Sequence, residues 1–315
     1  MLLTLPWQTR WFHEASLAGW PWEQGRWSVY VSWLLIVLTV VLGWPRCRSR
    51  LSGIRMRHVA YLLAALFVCS FVPILWHSDQ PARFVAVSQW WIEVLFLLSF
   101  GLTLSGAKVA WRSIAWWFVI SLIPQAILGL VQYGTQVVVG SKWLGIAPHL
   151  AETPGTAVVE FELWRYLRAY GGFPHPNILG GWLAVGLLAT LLLAGTSETK
   201  KQALLSSVLS ALFAVVLVLT FSRSAWVACA VGFVALLLVA RKQISSSQYF
   251  WLAVASAVLV GGAVGVSQRA VVLARSDVAS RLEAKSIDTR RQSLVDGLTE
   301  FRAHPLFGSG PNAEL

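Results

Sequence analysis

The chain has 315 residues, of which 57% are hydrophobic and only 12% charged, with a mean hydropathy of +0.64. An average soluble domain carries about 25% charged residues, so this composition excludes an ordinary soluble enzyme, a disordered protein and a collagen-like fibre. The formal net charge is nevertheless +11, from 25 Lys and Arg against 14 Asp and Glu. In so apolar a chain that excess points to basic residues gathered on the cytoplasmic face of a membrane protein rather than to nucleic acid as a partner.

Residues 1–26 contain Arg10 and Arg26 but no basic stretch followed by an apolar one, so no cleavable signal peptide is expected. Trp7, Trp11, Trp20, Trp22 and Trp27 mark this stretch as interfacial. Eight apolar segments follow, at about 28–44, 58–76, 84–105, 114–134, 177–194, 203–221, 224–240 and 249–266. Each approaches the roughly 20 residues that a helix needs to cross a bilayer. Trp27, Trp44, Trp76, Trp111, Tyr249 and Trp251 flank them as aromatic belts do. Strand-like alternation is lacking, which excludes a membrane barrel. The expected fold is all-α, a polytopic transmembrane helical bundle with about eight spans. Glu93 falls within the third span, where a carboxylate is costly unless paired or protonated.

The strongest orientation signal is the loop with Arg46, Arg48, Arg50, Arg55 and Arg57, which belongs in the cytoplasm. The N-terminus and the long segments 135–176 and 267–315 then lie outside an inner or plasma membrane. The expected organisation is a helical bundle over 1–266 with an outer loop at 135–176, and the start of a large outer loop over 267–315. In that last segment Ile287, Leu294, Leu298 and Phe301 recur at helical spacing, which predicts an amphipathic helix. Cys47, Cys69 and Cys229 form no metal or disulfide pattern.

Three stretches carry chemistry. The first, Arg168-Ala-Tyr-Gly-Gly-Phe-Pro-His-Pro-Asn177, stands at the outer start of the fifth span. Its glycines and prolines forbid a regular helix, and Asn177 is expected to cap the helix that follows. A helix start offers N–H groups and partial positive charge to an anion. Arg165 and Arg168 could add bidentate contacts to a phosphate, and His175 is a candidate acid or base. The alternative is a loop whose arginines bind lipid headgroups. The second stretch is Thr220-Phe-Ser-Arg223-Ser-Ala-Trp226. Arg223 is the single charge in 203–240, so a tight hairpin must turn beside it, with Ser224 expected to cap the next helix. An arginine on the outer face owes nothing to the positive-inside tendency and reads as functional, against the simpler alternative of snorkelling to headgroups. The third stretch is Arg290, Arg291 and the run from His304 to Gly310, whose glycines allow a close backbone approach.

Arg165, Arg168, Arg223 and Arg290 with two helix starts would suit a diphosphate. A diphosphate held in lipid on the outer face points to a polyprenyl carrier of a sugar chain. No acidic pair accompanies the arginines, so transfer without a metal or cofactor is expected, with arginines neutralising the leaving diphosphate and a base activating the acceptor hydroxyl.

The order of these motifs resembles the O-antigen ligase and O-antigen polymerase superfamily of membrane glycosyltransferases. RAYGGFPHPN (168–177), LTFSRSAWVA (219–228) and the pattern from Arg290 to HPLFGSGP (304–311) carry the resemblance. It implies a GT-C-like helical fold and glycan transfer from an undecaprenyl diphosphate donor to a glycan, lipid or protein acceptor, with membrane lipids as surroundings. It also implies that Arg168 and Arg223 match the family's diphosphate-binding arginines. The family's loop continues past its G-x-G run to a histidine-bearing stretch and further spans. The sequence therefore reads as a C-terminally truncated fragment whose base lies past Leu315, with His304 a lesser candidate. A transporter or flippase for a lipid-linked or anionic substrate is the alternative. It would place charges at mid-membrane on broken helices in paired repeats, and only Glu93 fits that description.

Overall fold

A computed structural model of the chain describes residues 4, 6–13, 16–17, 20–21, 27–51, 56–72, 74, 80–106, 109–161, 164–244, 247–276 and 281–305. The chain divides into two compact units. One comprises Arg10–Val109 and Lys285–Leu315, the other Leu2–Thr9 and Ala110–Ala284.

In the first unit β1 (Arg10–His13) pairs antiparallel with β4 (Trp27–Tyr30), and β2 (Ser16–Leu17) with β3 (Trp20–Pro21) between them. The stretch expected to be merely interfacial is thus hairpin-built. Three helices follow: α1 (Val31–Leu51), α2 (Met56–Phe71) and α3 (Gln80–Gly106). Helix α1 runs through Pro45, Arg46, Arg48 and Arg50, which were expected in a loop; arginine is a good helix former and lets the turns continue past the apolar stretch. The side-chain amide of Gln89 clasps β4 by accepting from Ser28 N at 2.9 Å and donating to Ser28 O at 3.1 Å. Gln89 also donates to Glu93 at 3.4 Å, one helical turn on, so the carboxylate within α3 has a polar neighbour.

The second unit holds α4 (Trp111–Thr135), the hairpin pairs β5 (Val137–Val138) with β6 (His149–Leu150) and β7 (Val158–Phe161) with β8 (Trp164–Leu167), then α5 (Pro176–Gly195), α6 (Lys200–Leu219), α7 (Arg223–Val239), the single turn α8 (Arg241–Ile244), α9 (Gln248–Ser267) and α10 (Arg269–Ser276). Helices α5 and α6 are central: 56% of the apolar window of each is buried, against 28% for α4 and 22% for α9. Leu122, Leu179, Leu183, Phe213, Val216 and Phe250 lie in their shared core. Lipid is as apolar as leucine, so such helices associate through close packing rather than through release of water. Gly180 is one place where the approach is close: a Cβ there would stand 3.0 Å from Ala225 Cβ and 3.1 Å from Thr220 Oγ1. Helix α11 (Arg281–Ala303) comes last and spans the boundary between the units. It is the predicted amphipathic helix, and its Ile287, Leu294, Leu298 and Phe301 are exposed.

Helices occupy all eight predicted segments. Four of them, α4, α5, α6 and α9, are long and apolar enough to cross a membrane. The apolar stretches of the other four are shorter: Val31–Gly43, Tyr61–Phe71, Val87–Gly101 and Arg223–Val239. The chain is a mostly helical membrane protein.

Candidate functional site

The site is built where α5 begins. Gly171 adopts φ +61°, a left-handed conformation that only glycine takes without strain, and it turns the chain after β8. Helix α5 then starts at Pro176, whose fixed φ and missing N–H suit the first helical position. The cap is therefore His175, not the expected Asn177: His175 is extended (φ −150°, ψ 140°), and its Nδ1 accepts from Asn177 N at 3.1 Å. That leaves the proton of the neutral ring on Nε2.

Asn177 has a different task. Its Oδ1 accepts from Arg168 Nη2 at 2.5 Å, and Arg168 Nε donates to Thr220 O at 2.7 Å. Arg168 is 2% exposed. These two acceptors are neutral dipoles that help to solvate the guanidinium charge. The main chain beside it is tied to the same turn, with Ala169 N donating to Leu219 O at 3.1 Å.

That turn joins α6 to α7. Phe221 sits fully buried at φ +47°, a strained conformation for a residue with a Cβ, which its packing against Val159 and Val271 holds in place. Ser222, not the expected Ser224, is the cap of α7, and Arg223 is the first helical residue, half-buried. From α10, Arg275 Nε reaches Phe221 O at 3.5 Å. Two successive carbonyls, of Thr220 and Phe221, thus receive two arginines. Arg275 was not singled out in the sequence, since it falls in a stretch that reads as a polar extension.

His175 senses both guanidiniums. Burial, then the charges of Arg168 and Arg275, then His149 push its pKa down to about 4, so the imidazole is neutral at pH 7. With Nδ1 engaged by the cap, the neutral ring, expected from the sequence as an acid or base, presents Nε2–H as a hydrogen-bond donor. His149 on β6 stacks on Tyr170 at 4.5 Å, and burial lowers its pKa too. Tyr170 accepts from Ala157 N at 2.6 Å.

The depressed value carries a pH signature. Between about 6.5 and about 4 the unfolded chain binds a proton at residue 175 that the folded chain does not, so stability contributed there is complete above about pH 6.5 and is lost as pH falls toward 4. His175→Asn keeps a capping side chain and removes the titration. Thermal unfolding in detergent between pH 7 and pH 4 should therefore be flatter for the variant than for the parent. Parallel acid losses in both would refute the assignment.

Arg165 does not join Arg168. It faces Glu160 across the β7–β8 register, with Nε 3.6 Å from Oε1, and donates to Glu152 O at 3.1 Å. Arg290 and His304 belong to the other unit. Arg290 is exposed on α11, and His304 Nε2 lies 3.8 Å from Glu300 Oε1. Residues 306–311 of the third motif lie outside the described residues. Among the described residues no group of three or more His, Cys, Asp or Glu side chains is placed to hold a metal ion.

Below the turn lies an almost wholly apolar groove of about 720 Å³. Leu188 of α5, Val218 of α6, Trp226 and Phe233 of α7 and Val258 of α9 line it, with Arg269 of α10 among the lining residues. Gly261, Gly262 and Gly265 of α9 present no side chain to it and keep it open.

The family model for O-antigen ligase matches residues 208–315. The matched range takes in the second and third motifs and stops short of the first. No curated protein and no solved structure matches the chain. The family match and the apolar helices support a membrane role of the glycosyltransferase kind.

Proposed function

We propose, on the premise that residues 208–315 belong to the O-antigen ligase family, that this membrane protein moves a glycan from a polyprenyl diphosphate carrier to an acceptor hydroxyl on the outer face of the membrane. The observation that carries this reading is the buried guanidinium of Arg168, anchored on the α6–α7 turn beside His175 and Arg275. Charges set in a dry, helix-lined site act strongly on an anion and need no reorganisation when it forms.

In this reading Arg168 and Arg223 hold the diphosphate, assisted by the N–H groups at the starts of α5 and α7. His175 Nε2–H donates to a diphosphate oxygen. The acceptor hydroxyl gives its proton to a base and its oxygen bonds to the anomeric carbon, as the bond from that carbon to the diphosphate oxygen breaks. The arginines offset the negative charge that leaves with the diphosphate, the part a metal ion plays in metal-dependent transfer. The apolar groove suits the isoprenoid tail. On sequence grounds alone, Arg290 remains a proposed anion contact and His304 a proposed base.

Arg223→Ala and Arg223→Lys test the reading in membranes from cells making the full-length gene product. Glycan transfer should fall at least about tenfold in the alanine variant and recover in part with lysine, which keeps the charge but not the fork. Lipid-linked donor on the outer face should stay constant. Full transfer in both variants would sink the diphosphate role, and loss of outer-face donor would favour a flippase.

A further inference from the structure

We propose that Gln132 is a positioning residue for the anion site, acting through the main chain of the loop that carries Arg168. Gln132 lies near the outer end of α4 and is 2% exposed. Its Oε1 accepts from Gly171 N at 2.8 Å and from Tyr170 N at 3.2 Å, and its Nε2 donates to Gly171 O at 2.8 Å. Both polar main-chain groups of Gly171 are thus held by one side chain.

Two more glutamines join it: Gln125, two turns earlier on the same face of α4, and Gln136, the left-handed residue that ends the helix. Gln125 Oε1 accepts from Gly172 N at 2.6 Å, and Gln136 Oε1 accepts from Leu167 N at 2.7 Å. Past Leu167, the end of β8, only Arg168 N and Ala169 N find main-chain acceptors, and the segment from Tyr170 to Gly172 would otherwise hold polar groups away from water. Amide side chains supply the missing partners from outside, with Gln132 at the centre. A Cβ on Gly172 would come within 2.8 Å of Gln125 Oε1, so the fit of backbone to amide is tight.

The consequence for the site is geometric. Arg168 lies between the contact at Leu167 N and the three at Tyr170, Gly171 and Gly172. Its own bonds to Thr220 O and Asn177 Oδ1 require that backbone to stay at one height relative to α5 and the turn. Releasing Gly171 lets the loop rise and swings the guanidinium off both acceptors. The cationic site then loses its shape while its charge remains.

This inference rests on the proposed binding of a diphosphate donor, and the experiment separates the two. Transfer is measured against lipid-linked donor concentration in membranes holding the full-length gene product, with rates expressed per folded molecule. Gln132→Leu removes three hydrogen bonds and should raise the donor KM at least about tenfold, with a smaller change in kcat. Gln132→Glu keeps the two acceptor contacts and should recover part of that loss, while Gln132→Asn, too short to reach, should not. A parental KM in Gln132→Leu, with activity merely tracking the amount of folded protein, would overturn the proposal. If Gln132→Leu does not accumulate, Gln125→Leu decides: loss of the single contact to Gly172 should raise KM about threefold, and no rise overturns the proposal. An unchanged KM in Arg168→Ala, per folded molecule, would instead sink the diphosphate reading, whatever the glutamine variants do.

Discussion

Arg168→Ala should reduce glycan transfer by about two to three orders of magnitude, the cost of deleting one preorganised charge donor from a dry site. Arg168→Lys should fare little better. The native side chain uses Nε for Thr220 O and Nη2 for Asn177 Oδ1. An ammonium on a flexible stem cannot make both bonds from one planar group. Protein abundance must be followed alongside activity, because the alanine variant also leaves the Thr220 carbonyl short of one donor. The informative comparison is therefore rate per folded molecule in the two variants. A lysine variant with the parental rate would show that only charge matters at this position, and would remove the geometric basis of the site.

The largest expected loss of stability belongs to Gly171→Val. Its φ of +61° is costly for any residue with a Cβ, by about 1–2 kcal/mol, and worse for a β-branched one. Crowding adds to strain: the new Cβ would lie 3.1 Å from Gln125 O and 3.2 Å from both Gln125 Oε1 and Leu179 Cδ1. Gly155 offers the control. Its φ is +86°, yet nothing stands within 4 Å of the position a Cβ would take. Thermal unfolding in detergent should show Gly171→Val losing at least about 2 kcal/mol more than Gly155→Val. Equal losses would mean that the glutamine face does not press on the loop.

The helices were legible because a run of about 18 apolar residues has few other uses. Their ends were less so. Proline was read as a helix breaker in the stretch before Asn177, whereas at Pro176 it begins the helix, which moved the cap to His175 and handed Asn177 to Arg168. The hairpins of the 135–176 segment have strands of two to four residues, too short for period-two alternation to register. Without the β7–β8 register, Arg165 looked like a second phosphate contact instead of the cross-strand partner of Glu160. Gln125 and Gln132 passed unnoticed because uncharged residues in an apolar run attract little notice, although their spacing of seven places them on one face of α4; Gln136 lies past the helix as its left-handed cap. Arg223 was recognisable as the lone charge in 203–240. Arg275 needed the fold, since nothing local ties α10 to a turn more than fifty residues earlier.

The long-range hydrogen bonds around the α6–α7 turn also count crossings. A bilayer has two sides, and groups that touch beyond its core share one, so the chain between them traverses an even number of times. Arg168 meets Thr220, and α5 and α6 supply the pair. Arg275 meets Phe221, yet between them only α9 has the full span length, so α7 must make the return. Its 17 residues rise about 26 Å, a few ångströms short of the usual hydrocarbon thickness, a mismatch that local thinning absorbs.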